Sequence, residues 1–152
     1  MRHKYFMELA FKQAVQALLK NEVPIGCVIV KDDQIIGMGH NIRNSSKNSL
    51  AHAEIIAINQ ACSAIGDWRL EGCTLFVTIE PCPMCAGAIL QARVSEIAFG
   101  ANNKKAGCAG SVLNLLNHPG FNHSVAIING ILEAKCADLM QTYFRQLRNS
   151  KA

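Results

Sequence analysis

The stretch CTLFVTIE, residues 73–80, leaves the chain the least freedom. It passes from one apolar residue to the next with almost no polar break, over a length too short for a helix. That is the pattern of a buried strand, covered on both faces rather than one.

The segments around it supply the cover. Residues 2–20 place Phe6, Leu9, Ala10, Ala14, Ala17 and Leu18 at helical spacing, with Glu8, Lys12 and Gln13 between them. This is an amphipathic helix, not the apolar core of a signal peptide. PIGCVIVKDDQIIGMGHN predicts two antiparallel strands turning at Asp32-Asp33. NIRNSSKNSLAH reads as a polar loop, and residues 53–65 as a helix stopped by Gly66. Residues 83–92 give the next helix and SEIAFGA the next strand. After a long loop come a strand in SVAIING and a terminal helix over 133–148. Strands alternating with helices within 152 residues predict one domain, an α/β fold with a central mixed five-stranded sheet and helices on both faces. Ligands in such sheets sit where strands end and helices begin.

Seven cysteines, an odd number without a secretion signal, argue against a disulfide framework and for a reducing cytoplasm. Cys27, Cys62, Cys73 and Cys136 lie in apolar or helical stretches and read as small hydrophobes. Cys108, in AGCAGS, has no assigned role. No apolar run approaches a membrane span. The net charge of +4 permits a polyanionic partner without requiring one.

Cys82 and Cys85 stand apart. They follow the buried strand directly, at the start of a helix, where positive partial charge favours thiolate. Pro83 is tolerated in that first turn. A CxxC pair alone fits a redox couple or half of a structural zinc site. A four-cysteine site needs a second close pair, and there is none. LAHAEIIAI instead offers His52 and Glu54 at another helix start. One imidazole and two thiolates leave the fourth position of zinc to water, which is the catalytic pattern. Glu54 is then free to move protons.

His52-Ala53-Glu54 with Pro81-Cys82-Pro83-Met84-Cys85 matches the H-x-E…P-C-x-x-C signature of the zinc nucleobase deaminases. NEVPIGCVIV, Asn41, TLFVTIEPCPMCAGAI, FGANNKKAGCAGS, NHPGFNH and YFRQLR extend the likeness over nearly the whole chain. Together they resemble the bacterial tRNA-specific adenosine deaminases. The resemblance implies a three-layer α/β/α sandwich of the cytidine-deaminase type and a homodimer. It implies one zinc per subunit on His52, Cys82 and Cys85, and Glu54 as the proton shuttle. It further implies conversion of adenosine to inosine at the wobble position of a tRNA anticodon stem-loop. Asn41 resembles the residue that hydrogen-bonds the purine; Glu22, Val23, Pro24 and Ala53 resemble parts of the base pocket.

In the tail, Tyr143, Phe144, Arg145 and Arg148 combine aromatics with cations, as single-stranded RNA recognition does. The plain alternative is that the aromatics dock the helix while the arginines favour its C-terminal dipole. Lys104 and Lys105 invite the same RNA reading. His118 matches a family position near RNA, while His123 reads as an ordinary loop histidine. Asn103 stands where the family usually carries an acid. It can accept from a ribose hydroxyl without charge and with an added donor, which bears on RNA against DNA. Two rival readings share parts of this pattern. A free purine or nucleoside deaminase of the guanine deaminase type shares the zinc signature. A zinc-stabilised RNA-binding protein without catalysis would have no use for Glu54.

Overall fold

The computed structural model describes residues 1–151. Five strands form one sheet: β1 (Gly26–Lys31), β2 (Gln34–His40), β3 (Thr74–Ile79), β4 (Glu96–Ala101) and β5 (Ala126–Ile128). Their spatial order is β2-β1-β3-β4-β5. β1 runs antiparallel to both β2 and β3, whereas β3, β4 and β5 are parallel. The β1–β2 turn takes the two residues between the paired Lys31 and Gln34. Asp32 and Asp33 both sit at positive φ, 49° and 61°. That matches the twist of a tight hairpin, and aspartate tolerates this region better than most residues.

Helices cover both faces. Cys27, Ile29, Leu75, Val77, Ile97 and Phe99 point to one side, into a core shared with α3 (Ala53–Ile65) and α4 (Pro83–Gln91). Val28, Val30, Phe76 and Ala98 alternate to the other side, against Phe6, Met7 and Ala10 of α1 (Arg2–Leu19). There α5 (Glu133–Ser150) covers the C-terminal ends of β3 and β4, with Cys136 packed against Ile79 and Ala101. The result is the α/β/α sandwich expected. All six residues of β3 are buried, which is why it carries no polar alternation.

Three boundaries differ from the sequence reading. The polar loop contains a one-turn helix, α2 (Arg43–Ser46), closed by Lys47 in the left-handed region. Four residues are too few for a helical period to be read. β5 is three residues rather than seven, an edge strand paired only over Ala126–Ile128. α5 runs two residues past 148.

The approach of α3 to the hairpin positions the site. Gly37 and Gly39 of β2 lie beneath it. A Cβ at Gly37 would fall 2.3 Å from the carbonyl oxygen of Ala57. The helix therefore rests on the bare backbone of β2, and its N-terminus is held close to the sheet. Gly37→Ala should force that contact apart and cost about 2 kcal/mol. The expected fall in Tm is about 4–8 °C by thermal denaturation; an unchanged Tm would contradict the close packing.

Candidate metal and active site

α3 and α4 pack side by side on one face, and their N-termini meet. His52 is the N-cap of α3 and Cys82 the N-cap of α4. Both have extended backbone, and neither side chain caps its own helix. Pro83 at the first helical position of α4 makes no demand for a capped N–H. Cys85 is three residues on from its N-cap, the spacing at which side chains around a helix start converge. The outcome is a compact triad. His52 Nδ1 lies 3.7 Å from Cys82 Sγ and 3.6 Å from Cys85 Sγ. All three donor atoms lie within 4.8 Å of one another.

The donor set fits zinc, with mixed nitrogen and sulfur ligation from three residues. The sulfurs are prepared for it. The hydrogen bond from Cys85, then the neighbouring His52, pushes the Cys82 thiol down to about 4 against its burial. Cys85, the proton's holder in that pair, is pushed up by Cys82 and by burial. Contact with Cys82 raises His52.

Glu54, on the first turn of α3, is 3 % exposed. Its Oε1 is the buried side-chain oxygen or nitrogen with no hydrogen-bond partner among the described residues. Such an orphan costs on the order of 1–3 kcal/mol and calls for a functional explanation. Burial, and secondarily the Cys82 thiolate, raises its carboxyl from 4.5 to about 7. A carboxyl so tuned can both take and return a proton near neutrality.

His52 of the triad lines a cavity of about 480 Å³. That is ample for a single base with its sugar. Val23, Asn41, His52 and Asn103 line it, with Arg43 of α2 and Met140, Gln141 and Phe144 of α5. Asn41 is buried, and its Oδ1 accepts the Ala53 N–H at 2.8 Å. It thus supplies to α3 the cap that His52 withholds. What it can offer a ligand is its amide N–H groups and the second lone pair of Oδ1. Ala53 is fully buried, with its N–H taken by Asn41. Asn103 turns its Oδ1 to the Ala106 N–H at 3.1 Å, so its acceptor is likewise partly engaged.

Other expected pocket residues sit elsewhere. The Glu22 carboxylate does not face the cavity. It accepts the N–H groups of Asn44 at 3.0 Å and Ser45 at 2.6 Å, capping α2 from outside. Burial raises its pKa, but these bonds prevail and hold it below the usual range. Pro24 is buried beside it and does not line the cavity. Tyr143 is 9 % exposed and packs inward, whereas Phe144 is 45 % exposed and reaches the cavity. Arg145 and Arg148 line an adjoining groove of about 580 Å³, which shares Lys105, Gln141 and Phe144 with the first. His118 lies on an exposed turn outside both walls, its Nδ1 accepting the Gly120 N–H at 2.9 Å.

The sequence of residues 1–148 matches the family model of the MafB19-like deaminases. A relative from Bacillus subtilis, "tRNA-specific adenosine deaminase", is 48 % identical over 96 % of this chain and 91 % of its own length. One of the same description from Streptococcus pyogenes is 52 % identical over 97 % and 92 %. The chain belongs to the tRNA-specific adenosine deaminase family.

Within this deaminase family, a solved structure from work on A-to-I editing by tRNA:A34 deaminases aligns with a TM-score of 0.85 and 39 % identity. It covers 89 % of this chain and 98 % of that one. A guanine deaminase from Nitrosomonas europaea, 20 % identical with a TM-score of 0.74 over 90 % and 81 %, shares the fold. Several cavity residues were passed over by sequence reasoning, among them Met140 and Gln141 of α5 and the cation Arg43, hidden in a stretch read as loop.

The titration of Glu54 gives a direct check. Its folded pKa is raised, so its contribution to stability is fully present below 4.5 and is lost as pH rises through about 7. Glu54→Gln removes that loss. In chelator-stripped protein the variant should gain about 3 kcal/mol on the parent between about pH 5 and pH 8 by denaturant titration. A gap that does not change with pH would contradict a buried, unpaired carboxyl.

Proposed function

We propose that this protein deaminates adenosine to inosine at the wobble position of a tRNA anticodon, consuming water and releasing ammonia. The observation that carries this is the unpartnered, buried Glu54 carboxyl beside the His52–Cys82–Cys85 triad, at the end of a base-sized cavity. The curated relatives bearing that activity in their names align over nearly the whole chain.

The residues divide the work as follows. Nδ1 of His52 and the sulfurs of Cys82 and Cys85 would hold one zinc per subunit. Zinc there supplies a Lewis acid that lowers the pKa of water toward neutrality. Glu54 takes the two protons of the attacking water in turn, passing one to the purine ring nitrogen and the other to the leaving amine. The Asn41 amide N–H donates to an acceptor on the purine ring, its oxygen being held by Ala53. Val23 and Phe144 give the base apolar cover. A base attacked at a ring carbon must leave its stack, so an unpaired anticodon loop is a suitable substrate. Lys104, Lys105, Arg43, Arg145 and Arg148 line the cavity and the groove beyond it, where the flanking phosphates pass. In this reading the protein works as a cytoplasmic homodimer. No helix among the described residues is long and apolar enough to cross a membrane.

Glu54→Ala should keep zinc and fold while losing at least about a thousandfold in inosine formation on an anticodon stem-loop. His52→Ala and Cys85→Ala should lose the metal itself, read by elemental analysis. Efficient turnover of free guanine with the stem-loop untouched would instead assign a free-base deaminase. For the groove, replacing Arg145 and Arg148 together by alanine should weaken stem-loop binding. It should also flatten the dependence of log K on log salt by about 1.4, two phosphate contacts on a single strand. An unchanged slope would return both arginines to a purely structural role.

A further inference from the structure

Glu80 is the other carboxylate at this corner, and the chemistry above does not use it. It follows the buried strand β3 directly, two residues before Cys82, and is 2 % exposed. Unlike Glu54 it is saturated. Oε1 accepts the Asn103 N–H at 3.0 Å and the Ser111 hydroxyl. Oε2 accepts the N–H groups of Ala109 and Ser111, each at 3.0 Å. All four donors come from the loop 102–111 that follows β4. The backbone doubles the link, with the Cys108 N–H donating to the Pro81 carbonyl at 2.9 Å. Gly107 passes so close that a Cβ would fall 2.4 Å from the Glu80 carboxyl carbon.

This loop is also a wall of the substrate cavity, through Asn102, Asn103, Lys104 and Lys105. We infer that Glu80 is a positioning residue, whose carboxylate pins the Asn103 end of the loop and so sets the distance between the substrate-facing wall and the Cys82–Cys85 side of the site. It touches neither substrate nor metal. It acts through Asn103 and its neighbours, and the inference rests on the function proposed above.

The hydrogen-bond inventory makes the consequence specific. Glutamine at this position keeps one carbonyl oxygen, which can still accept the Ala109 and Ser111 N–H groups. Its amide group would then face the Ser111 hydroxyl, which can rotate to accept, and the Asn103 N–H, which cannot. Glu80→Gln therefore frees the Asn103 end of the loop while leaving the rest attached. With the zinc-loaded full chain and an adenosine-bearing anticodon stem-loop, Glu80→Gln should raise KM about tenfold. It should leave kcat within about twofold and zinc at one per chain. The Asn103 amide should exchange with solvent at least about tenfold faster than in the unsubstituted protein. Gly107→Ala, which pushes the loop off the same carboxylate without altering it, should show the same KM signature. A merely structural role would lower the folded fraction, and with it the apparent kcat, at constant KM; that result overturns the proposal. Rapid exchange of the Asn103 amide in the unsubstituted protein overturns it too, without any variant. If the unsubstituted protein forms no inosine, the functional reading fails and this inference with it. Inosine formation with KM unmoved in Glu80→Gln removes the inference alone.

Discussion

Two helix starts are brought to one point, and every chemical property of the site follows from that meeting. The helix α3 can reach the corner because Gly37 and Gly39 let it rest on the backbone of β2. The helix α4 reaches it because it springs directly from the end of the buried strand β3. Each helix leaves unsatisfied N–H groups and positive partial charge at its first turn. A thiolate, its partner thiol and a carboxyl gathered there are less unfavourable than they would be elsewhere in the interior. Two of the three candidate ligands, His52 and Cys82, are the N-cap side chains themselves, which is possible only because neither is spent on capping.

That choice leaves the helix ends and loops short of acceptors, and distant residues make up the shortfall. Asn41 caps α3 from the end of β2, and Glu22 caps α2 from the chain that follows α1. Glu80 gathers the loop after β4. Each of these contacts holds one wall of the cavity: α3 carries His52, α2 carries Arg43, and the loop carries Asn103. Three parts of the cavity wall, the start of α3, the one-turn α2 and the loop after β4, are thus each fixed by a buried side-chain acceptor, while the regular helix α5 supplies another. Pre-organisation of this kind suits a reaction in which a base must be held within hydrogen-bond distance of a proton carrier.

The fold was legible in the sequence because periodicity and turn chemistry agreed over most of its length. The unbroken apolar run of β3, the Asp32-Asp33 turn and the Gly66 stop each had a local cause. The triad and Glu54 were legible because paired signatures at helix starts carry more information than either half. What was not legible depends on contacts between residues far apart in the chain. Glu22 lies 22 residues from its partner Asn44, and nothing local distinguishes a carboxylate facing a ligand from one facing a backbone N–H. Glu22 and Asn41 both hold elements of the pocket wall through such backbone bonds, which the local sequence does not reveal. The tail illustrates the same limit: Tyr143 and Phe144 are adjacent, so on a helix they point about 100° apart, and one packs while the other faces the cavity.

A complete inventory of buried polar side chains separates the chemical residue from the structural ones. Thr78 accepts the Gly26 N–H, and Thr74 donates to Glu96. Glu22, Asn41 and Glu80 are each claimed by backbone donors. Among the buried acids, Glu54 alone keeps an oxygen with no partner among the described residues, and it is the one whose carboxyl is raised toward neutrality rather than lowered. Glu80 and Glu22 share its burial and its residue type, yet their bonds to N–H groups hold them as fixed anions. The same side chain is therefore a fixed anion where donors surround it and, in the function proposed, a proton carrier where they are withheld. Burial sets the cost of the charge in all three places, and the supply of N–H donors decides which role results.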